Sequence, residues 1–128
     1  MGKRVLVVDS SLYNRMMLRD ILISHGFSVT EVSSGEEAVE AYDTLRPDLV
    51  TIDASAPGID GARTLRDITM KDPHASVMIC GTRGQRRSVM EGMSMGAVGV
   101  LLKPFNEKQV LREIRYAVGR PPTSEPIT

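Results

Sequence analysis

Five short apolar runs alternate along the chain with five stretches whose apolar residues recur at helical spacing. Val5-Leu6-Val7-Val8 is a continuous β-branched run, as in a parallel strand buried on both faces, and it ends at Asp9-Ser10-Ser11. From Leu12 to His25 the apolar positions 12, 16, 17, 18, 21 and 22 predict a helix, capped by Ser10 or Ser11 and stopped by Gly26. Phe27 to Val32 reads as a second strand. Ser34 with Glu37 three residues later is a capping box for a helix from about Glu36 to Leu45. Its inner side is Ala38, Val39, Ala41, Tyr42 and Leu45, and Pro47 follows it. Leu49 to Ile52 is a third strand that delivers Asp53.

After Asp53 comes a loop with Pro57 and Gly58. Asp60 can cap a helix from Gly61 to about Met70, with Leu65 and Ile68 inward. Asp72-Pro73 is a turn, and Ala75 to Cys80 a fourth strand. Thr82 and Gln85 form a second capping-box pattern, opening a helix to about Met95, where Gly96 ends it. Val89, Met90 and Met93 lie on it at helical spacing. Val98 to Leu102 is a fifth strand, leading to Lys103-Pro104-Phe105. Asn106, with Gln109 three later, caps a last helix through Val118, with an apolar stripe of Val110, Leu111, Ile114 and Val118. Gly119 stops it. Residues 120–128 have no apolar pattern and are expected to be a disordered tail or a linker, leaving residues 1–119 as one domain.

Alternating strands and helices imply an α/β fold: a doubly wound, flavodoxin-like parallel sheet of five strands, with five helices on its two faces. The five-stranded order of this kind is 2-1-3-4-5, with its switch point between strands 1 and 3. Asp9 and Asp53 end those two strands, so both carboxylates are expected to meet in the crevice where such sheets bind ligands.

Composition narrows the function. The 128 residues carry 16 acidic and 16 basic side chains, so no net field favours nucleic acid or an anionic membrane. A single cysteine, Cys80, excludes an internal disulfide and fits a reducing compartment. His25 and His74 have no ligand-spaced neighbours, which argues against zinc, and both are expected at the surface. No run approaches a membrane span, and the start lacks a signal-peptide pattern, so the expected location is cytoplasmic.

Two aspartates, a lysine ending strand 5 and a loop carbonyl suit magnesium and a phosphoryl group. Magnesium takes oxygen ligands, commonly only one or two of them carboxylates. Asp53 can act as a carboxylate nucleophile toward phosphorus, while metal and lysine neutralise the transferring oxygens. Plainer readings stand beside these. Asp9 could only cap the first helix, Asp60 is best read as a structural cap, and Lys103 elsewhere would be a solvated charge. Arg83, Arg86 and Arg87 cluster after strand 4, as a solvated face or an attractor for a phosphodonor or acidic partner. The eight methionines are read mostly as core filler, with Met90, Met93 and Met95 as candidates for an adaptable partner surface.

Over residues 3–119 the chain resembles the receiver domains of two-component response regulators, and most of all their single-domain chemotaxis type. The markers are Val7-Val8-Asp9, then Asp53 with Pro57, Asp60 and Gly61, then Gly96-Ala97, then Lys103-Pro104-Phe105. The resemblance implies that Asp53 is the phosphoacceptor and that Asp9, Asp53 and the Ser55 backbone carbonyl hold magnesium. Lys103 would pair with the phosphoryl group, and the Lys103–Pro104 bond would be cis. Pro57, Asp60, Gly61 and Pro104 would be structural. It implies a histidine kinase as donor, a signalling face of helix 4, strand 5 and helix 5 (also a possible homodimer face), and an output protein or domain the sequence does not identify. It implies no enzyme beyond self-phosphorylation and slow self-dephosphorylation.

The chain departs from the family pattern at four positions. Ser10 stands where the family has a second metal-binding acid, which weakens magnesium and leaves Ser10 at best a weak ligand. Gly81 stands at the switch Ser/Thr position, with Thr82 one place late as a candidate substitute, though it is better read as a helix cap. Val100 replaces the switch aromatic, and Ala56 a methionine. Three functions follow. One is a phosphorylation-dependent signalling domain. The second is a phosphorylation-independent pseudo-receiver acting as an interaction or dimerisation module. The third is a nucleotide- or flavin-binding domain, disfavoured because no glycine-rich cradle follows strand 1.

Overall fold

A computed structural model of the chain describes residues 2–119. The expected tail, 120–128, lies outside the described residues. The strands are β1 (Arg4–Val8), β2 (Ser28–Val32), β3 (Leu49–Asp53), β4 (Val77–Gly81) and β5 (Gly99–Leu102). The helices are α1 (Leu12–Ile23), α2 (Gly35–Leu45), α3 (Gly61–Lys71), α4 (Arg86–Ser94) and α5 (Glu107–Val118). All strand pairs in the main sheet are parallel, and the spatial order is β2-β1-β3-β4-β5. This is the doubly wound order expected from the alternation.

Successive strand residues point to opposite faces, and each face has its own core. Leu6, Val8, Val50, Ile52 and Ile79 pack under α2 and α3 with Ala38, Tyr42, Leu65 and Ile68. Val5, Val7, Leu49, Met78, Cys80 and Leu101 pack under α1 and α5 with Leu18, Leu22, Val110, Ile114 and Ala117. The α/β periodicity is therefore used twice, once on each side of the same strands. Cys80 lies in the second core, and burial pushes its thiol up to about 12, consistent with an inert packing role.

Three caps form as the sequence spacing predicts. The Ser34 hydroxyl accepts the Glu37 N–H at 3.2 Å, Asp60 accepts the Arg63 N–H at 3.1 Å, and Asn106 accepts the Gln109 N–H at 3.0 Å. Several expectations are corrected. Helix α1 ends at Ile23, and Leu12 (61% exposed) and Met16 (40%) face out while Leu18 and Leu22 are buried. At 3.6 residues per turn, positions 12 and 16 lie about 80–180° around the helix from 18, 21 and 22, so the six apolar positions do not form one face. The core-filler reading of the methionines fails: of those described only Met78 is fully buried and Met16 and Met70 are exposed, while Met90, Met93 and Met95 are exposed as candidates for a partner surface should be.

The helix expected from Thr82 to Met95 is broken at its start. Arg83–Gln85 form a 3-10 turn, closed by the Gln85 N–H on the Thr82 carbonyl at 3.0 Å, and the α-helix begins only at Arg86. β4 starts at Val77 rather than Ala75 and runs on to Gly81, which places that glycine in the sheet. β2 starts at Ser28 and β5 at Gly99. The loop after Asp53 contains a small antiparallel ribbon, Ser55–Ala56 against Ile59–Asp60, turning at Gly58.

Candidate functional site

The register of the two central strands builds the site. Val8 pairs with Ile52, so the next residues, Asp9 and Asp53, leave the carboxyl edge of the sheet side by side. Lys103 arrives from the end of β5, with its backbone N–H on the Gly81 carbonyl at 2.9 Å and a cis bond to Pro104. Its ammonium donates to Asp9 Oδ2 at 2.7 Å and to Asp53 Oδ2 at 2.9 Å. The three side chains are only 5–8% exposed. Burial alone would lower the Lys103 pKa, but the hydrogen bonds and charges of both carboxylates outweigh it and hold the ammonium above its ordinary value.

The remaining carboxylate oxygens are placed by the backbone. Asp9 Oδ1 accepts the Ser11 N–H at 2.9 Å, and Asp53 Oδ1 accepts the Ser55 N–H at 3.2 Å. Ser11 in turn caps α1 by accepting the Asn14 N–H at 3.2 Å. Arg15, on the next turn, donates to the Asp9 carbonyl at 2.6 Å and pairs with Glu31. Asp9 therefore both sits in the crevice and helps start the first helix.

Two carboxylates and one ammonium leave the cluster with one negative charge in excess. The oxygen donors at hand, Asp9, Asp53 and the backbone carbonyl of Ser55, are the hard type magnesium takes. Among the described residues no group of three or more His, Cys, Asp or Glu side chains is placed to hold a metal, in keeping with Ser10 in place of a further acid. Ser10 is half-buried beside Asp9. The donor set fits magnesium, with one carboxylate fewer than a three-acid site would offer.

The other expected residues divide. Gly61 opens α3 against the end of β3: a Cβ there would stand 2.8 Å from the backbone carbonyls of both Asp53 and Ala54. Only a glycine allows that approach. Pro57 lies exposed in the ribbon turn. Gly81 is buried beside the site, and a Cβ on it would stand 2.6 Å from Val89 Cγ2 and 3.4 Å from Gln85 Oε1. Val100 is half-buried on β5, paired with Ile79. Thr82 is not brought into the ion-pair cluster; it is exposed, and its backbone N–H is taken by Gln85 Oε1 at 3.0 Å.

Gln85 is the residue that sequence reasoning missed. Its Oε1 makes half of the expected capping box, but its Nε2 also donates to the Ser55 carbonyl at 2.6 Å. The Thr82–Gln85 spacing signalled the first bond, and nothing in the sequence signalled the second. Arg83, Arg86 and Arg87 are exposed, as are His25 and His74, with His25 Nε2 on Glu107 at 2.8 Å. A groove of about 670 Å³ runs between α2 and α3, and its lining includes none of Asp9, Asp53 and Lys103. Among the described residues no helix is long and apolar enough to cross a membrane.

Residues 5–115 match the family described as the response regulator receiver domain. The chain is 40% identical over 115 residues to the chemotaxis protein CheY of Thermotoga maritima, covering 89% of this chain and 96% of that protein. It superposes on the structure of the chemotaxis response regulator CheY4 of Vibrio cholerae with a TM-score of 0.83 at 26% identity, covering 91% of this chain and 99% of that one. The receiver domain of a sensor histidine kinase from Pseudomonas aeruginosa, whose cleft holds a coordinated magnesium ion, shares the fold with a TM-score of 0.86 at 23% identity, covering 94% of this chain and 100% of that one.

Proposed function

Because the chain belongs to the receiver domains of two-component response regulators, we propose that Asp53 is its phosphoacceptor. The observation that carries this is the pairing of Asp53 and Asp9 at one sheet edge with Lys103 across both. A phosphohistidine on a histidine kinase is the natural donor. The Asp53 carboxylate attacks phosphorus, the O–P bond forms as the P–N bond breaks, and the imidazole leaves to take up a proton. Lys103 is already within reach of Asp53 and moves its charge onto the incoming phosphoryl oxygens. The Ser55 N–H keeps the carboxylate oriented while Lys103 shifts.

Asp9, Asp53 and the Ser55 carbonyl are the residues that would hold magnesium, with Ser10 at most a weak addition. When bound there, the ion would supply neutralising charge for the phosphoryl oxygens. The similar kinase receiver domain from Pseudomonas aeruginosa carries magnesium in its cleft, which supports the reading by analogy. With Lys103 holding both carboxylates and one acid absent, magnesium is expected to bind weakly. Chemistry beyond self-phosphorylation and slow self-dephosphorylation is not expected.

The output face is α4, β5 and α5. Met90, Met93, Met95, Leu102 and Tyr116 are exposed on or beside it, an apolar surface suited to a protein partner or a second copy of the chain. The setting is cytoplasmic, with residues 1–119 acting as one domain. A second reading, the phosphorylation-independent pseudo-receiver, is favoured by Gly81 and Val100, which leave no side-chain hydroxyl or aromatic for the usual switch.

Intact mass after incubation with acetyl phosphate and magnesium separates the two. A magnesium-dependent gain of one phosphoryl group, absent from Asp53→Asn, is expected for the acceptor. No gain at any magnesium concentration would favour the pseudo-receiver.

A further inference from the structure

The Gln85 carboxamide spans the crevice between two loops. One end donates to the Ser55 carbonyl at 2.6 Å, and the other accepts the Thr82 N–H at 3.0 Å. The first is the carbonyl assigned above to the metal. The second is the backbone at the head of the 3-10 turn that leads into α4. The two contacts share one planar group, so a rotation of the carboxamide changes both.

Gly81 lies against this bridge. A Cβ there would touch Gln85 Oε1 at 3.4 Å and would press into Val89 Cγ2 of α4 at 2.6 Å. The bare backbone at the end of β4 thus lets α4 and the glutamine pack close to it. In this arrangement the strand-end hydroxyl is replaced by an amide reaching back from one turn later.

We propose that Gln85 is a positioning residue that couples occupancy of the metal position to the start of α4. The inference rests on the metal reading above. A cation on the Ser55 carbonyl and the positive end of the Gln85 amide cannot share that oxygen without repulsion. Binding therefore expels Nε2, the carboxamide rotates away, and the Thr82 N–H loses its acceptor. The 3-10 turn then keeps only its backbone bond from the Gln85 N–H to the Thr82 carbonyl, which loosens the start of α4, the helix whose exposed face carries Met90 and Met93. The signal travels through the side chain of Gln85 instead of a hydroxyl at position 81.

The test is a magnesium titration of the whole chain, followed by backbone NMR shifts and amide hydrogen exchange, on the native protein, Gln85→Ala and Gln85→Met. The methionine keeps the length of the side chain and removes both hydrogen bonds. In the native protein magnesium is expected to shift the Asp53–Ser55 amides and, at the same concentrations, to speed exchange at Thr82. In both variants Thr82 is expected to exchange fast from the outset, and magnesium to bind about two- to tenfold more tightly, the worth of one net hydrogen bond. Unchanged β1 and α5 shifts report that each variant is folded. Equal affinity in all three proteins, or a Thr82 amide that stays protected when the native site is saturated, overturns the coupling. No shift of the Asp53–Ser55 amides in any of the three overturns the metal reading itself, and the coupling with it.

Discussion

Lys103 holds two buried carboxylates with one positive charge, and each of the three groups depends on the others. Removing the lysine leaves two adjacent anions uncompensated. Lys103→Met is therefore expected to cost about 2–4 kcal/mol, near the range for breaking a buried ion pair. Urea unfolding at neutral pH measures it, and magnesium should recover part of the loss. The pH dependence has a definite sign. A pKa raised in the folded state contributes stability fully below the ordinary lysine value of about 10.4, and that contribution fades as pH climbs through the folded value. The difference between native and Lys103→Met is thus expected to stay level from about pH 6 to about pH 9 and to shrink only in stronger alkali.

At the scale of elements, the β3–α3 junction fixes the position of Asp53. Gly61 packs against the carbonyls of Asp53 and Ala54, and its N–H donates to the Ala54 carbonyl at 3.1 Å. A methyl at 61 meets backbone on two sides, which cannot swing aside as a side-chain tip can. Gly61→Ala is expected to destabilise the fold by about 1–3 kcal/mol, as overpacking does, and to lower the phosphoryl yield at Asp53 by moving its backbone. Chemical denaturation and intact mass on the same sample check both. The β4–α4 junction is built differently: the 3-10 turn, Gly81 and Gln85 form a linked unit, so restoring a hydroxyl at 81 alone would collide with Val89 rather than recreate a switch.

For the whole molecule, the site is a small stability deficit within a well-packed frame. Two complete cores hold the sheet on both faces, while its carboxyl edge carries an uncompensated negative charge. A cation that binds only the folded chain stabilises all of it, by about 2.7 kcal/mol at a hundredfold excess over Kd. Thermal unfolding is expected to shift up by several degrees with magnesium, and Asp53→Asn to blunt that shift. The same variant is expected to be no less stable than native without metal, since it removes one of two crowded anions. An equal magnesium response in both proteins would show that the ion stabilises the chain elsewhere.

Much of this was legible in the residues alone. Short segments rich in β-branched and apolar residues, separated by helical periods with Ser34, Asp60 and Asn106 at their starts, determine five strands, five helices and the two-faced sheet, because caps and periodicity report local geometry. The placement of Asp9 and Asp53 at neighbouring strand ends followed from that order. Periodicity did not tell which side of α1 faced the sheet, nor that Met16 and Met70 lay outside, because exposure depends on what packs above an element. The bridge of Lys103 to Asp9 and Asp53 spans 94 and 50 residues of chain, and that of Gln85 to Ser55 spans 30. These contacts exist only once parallel crossovers bring strand ends together, so the tertiary structure alone decided which charges are paired and which carbonyl is already occupied.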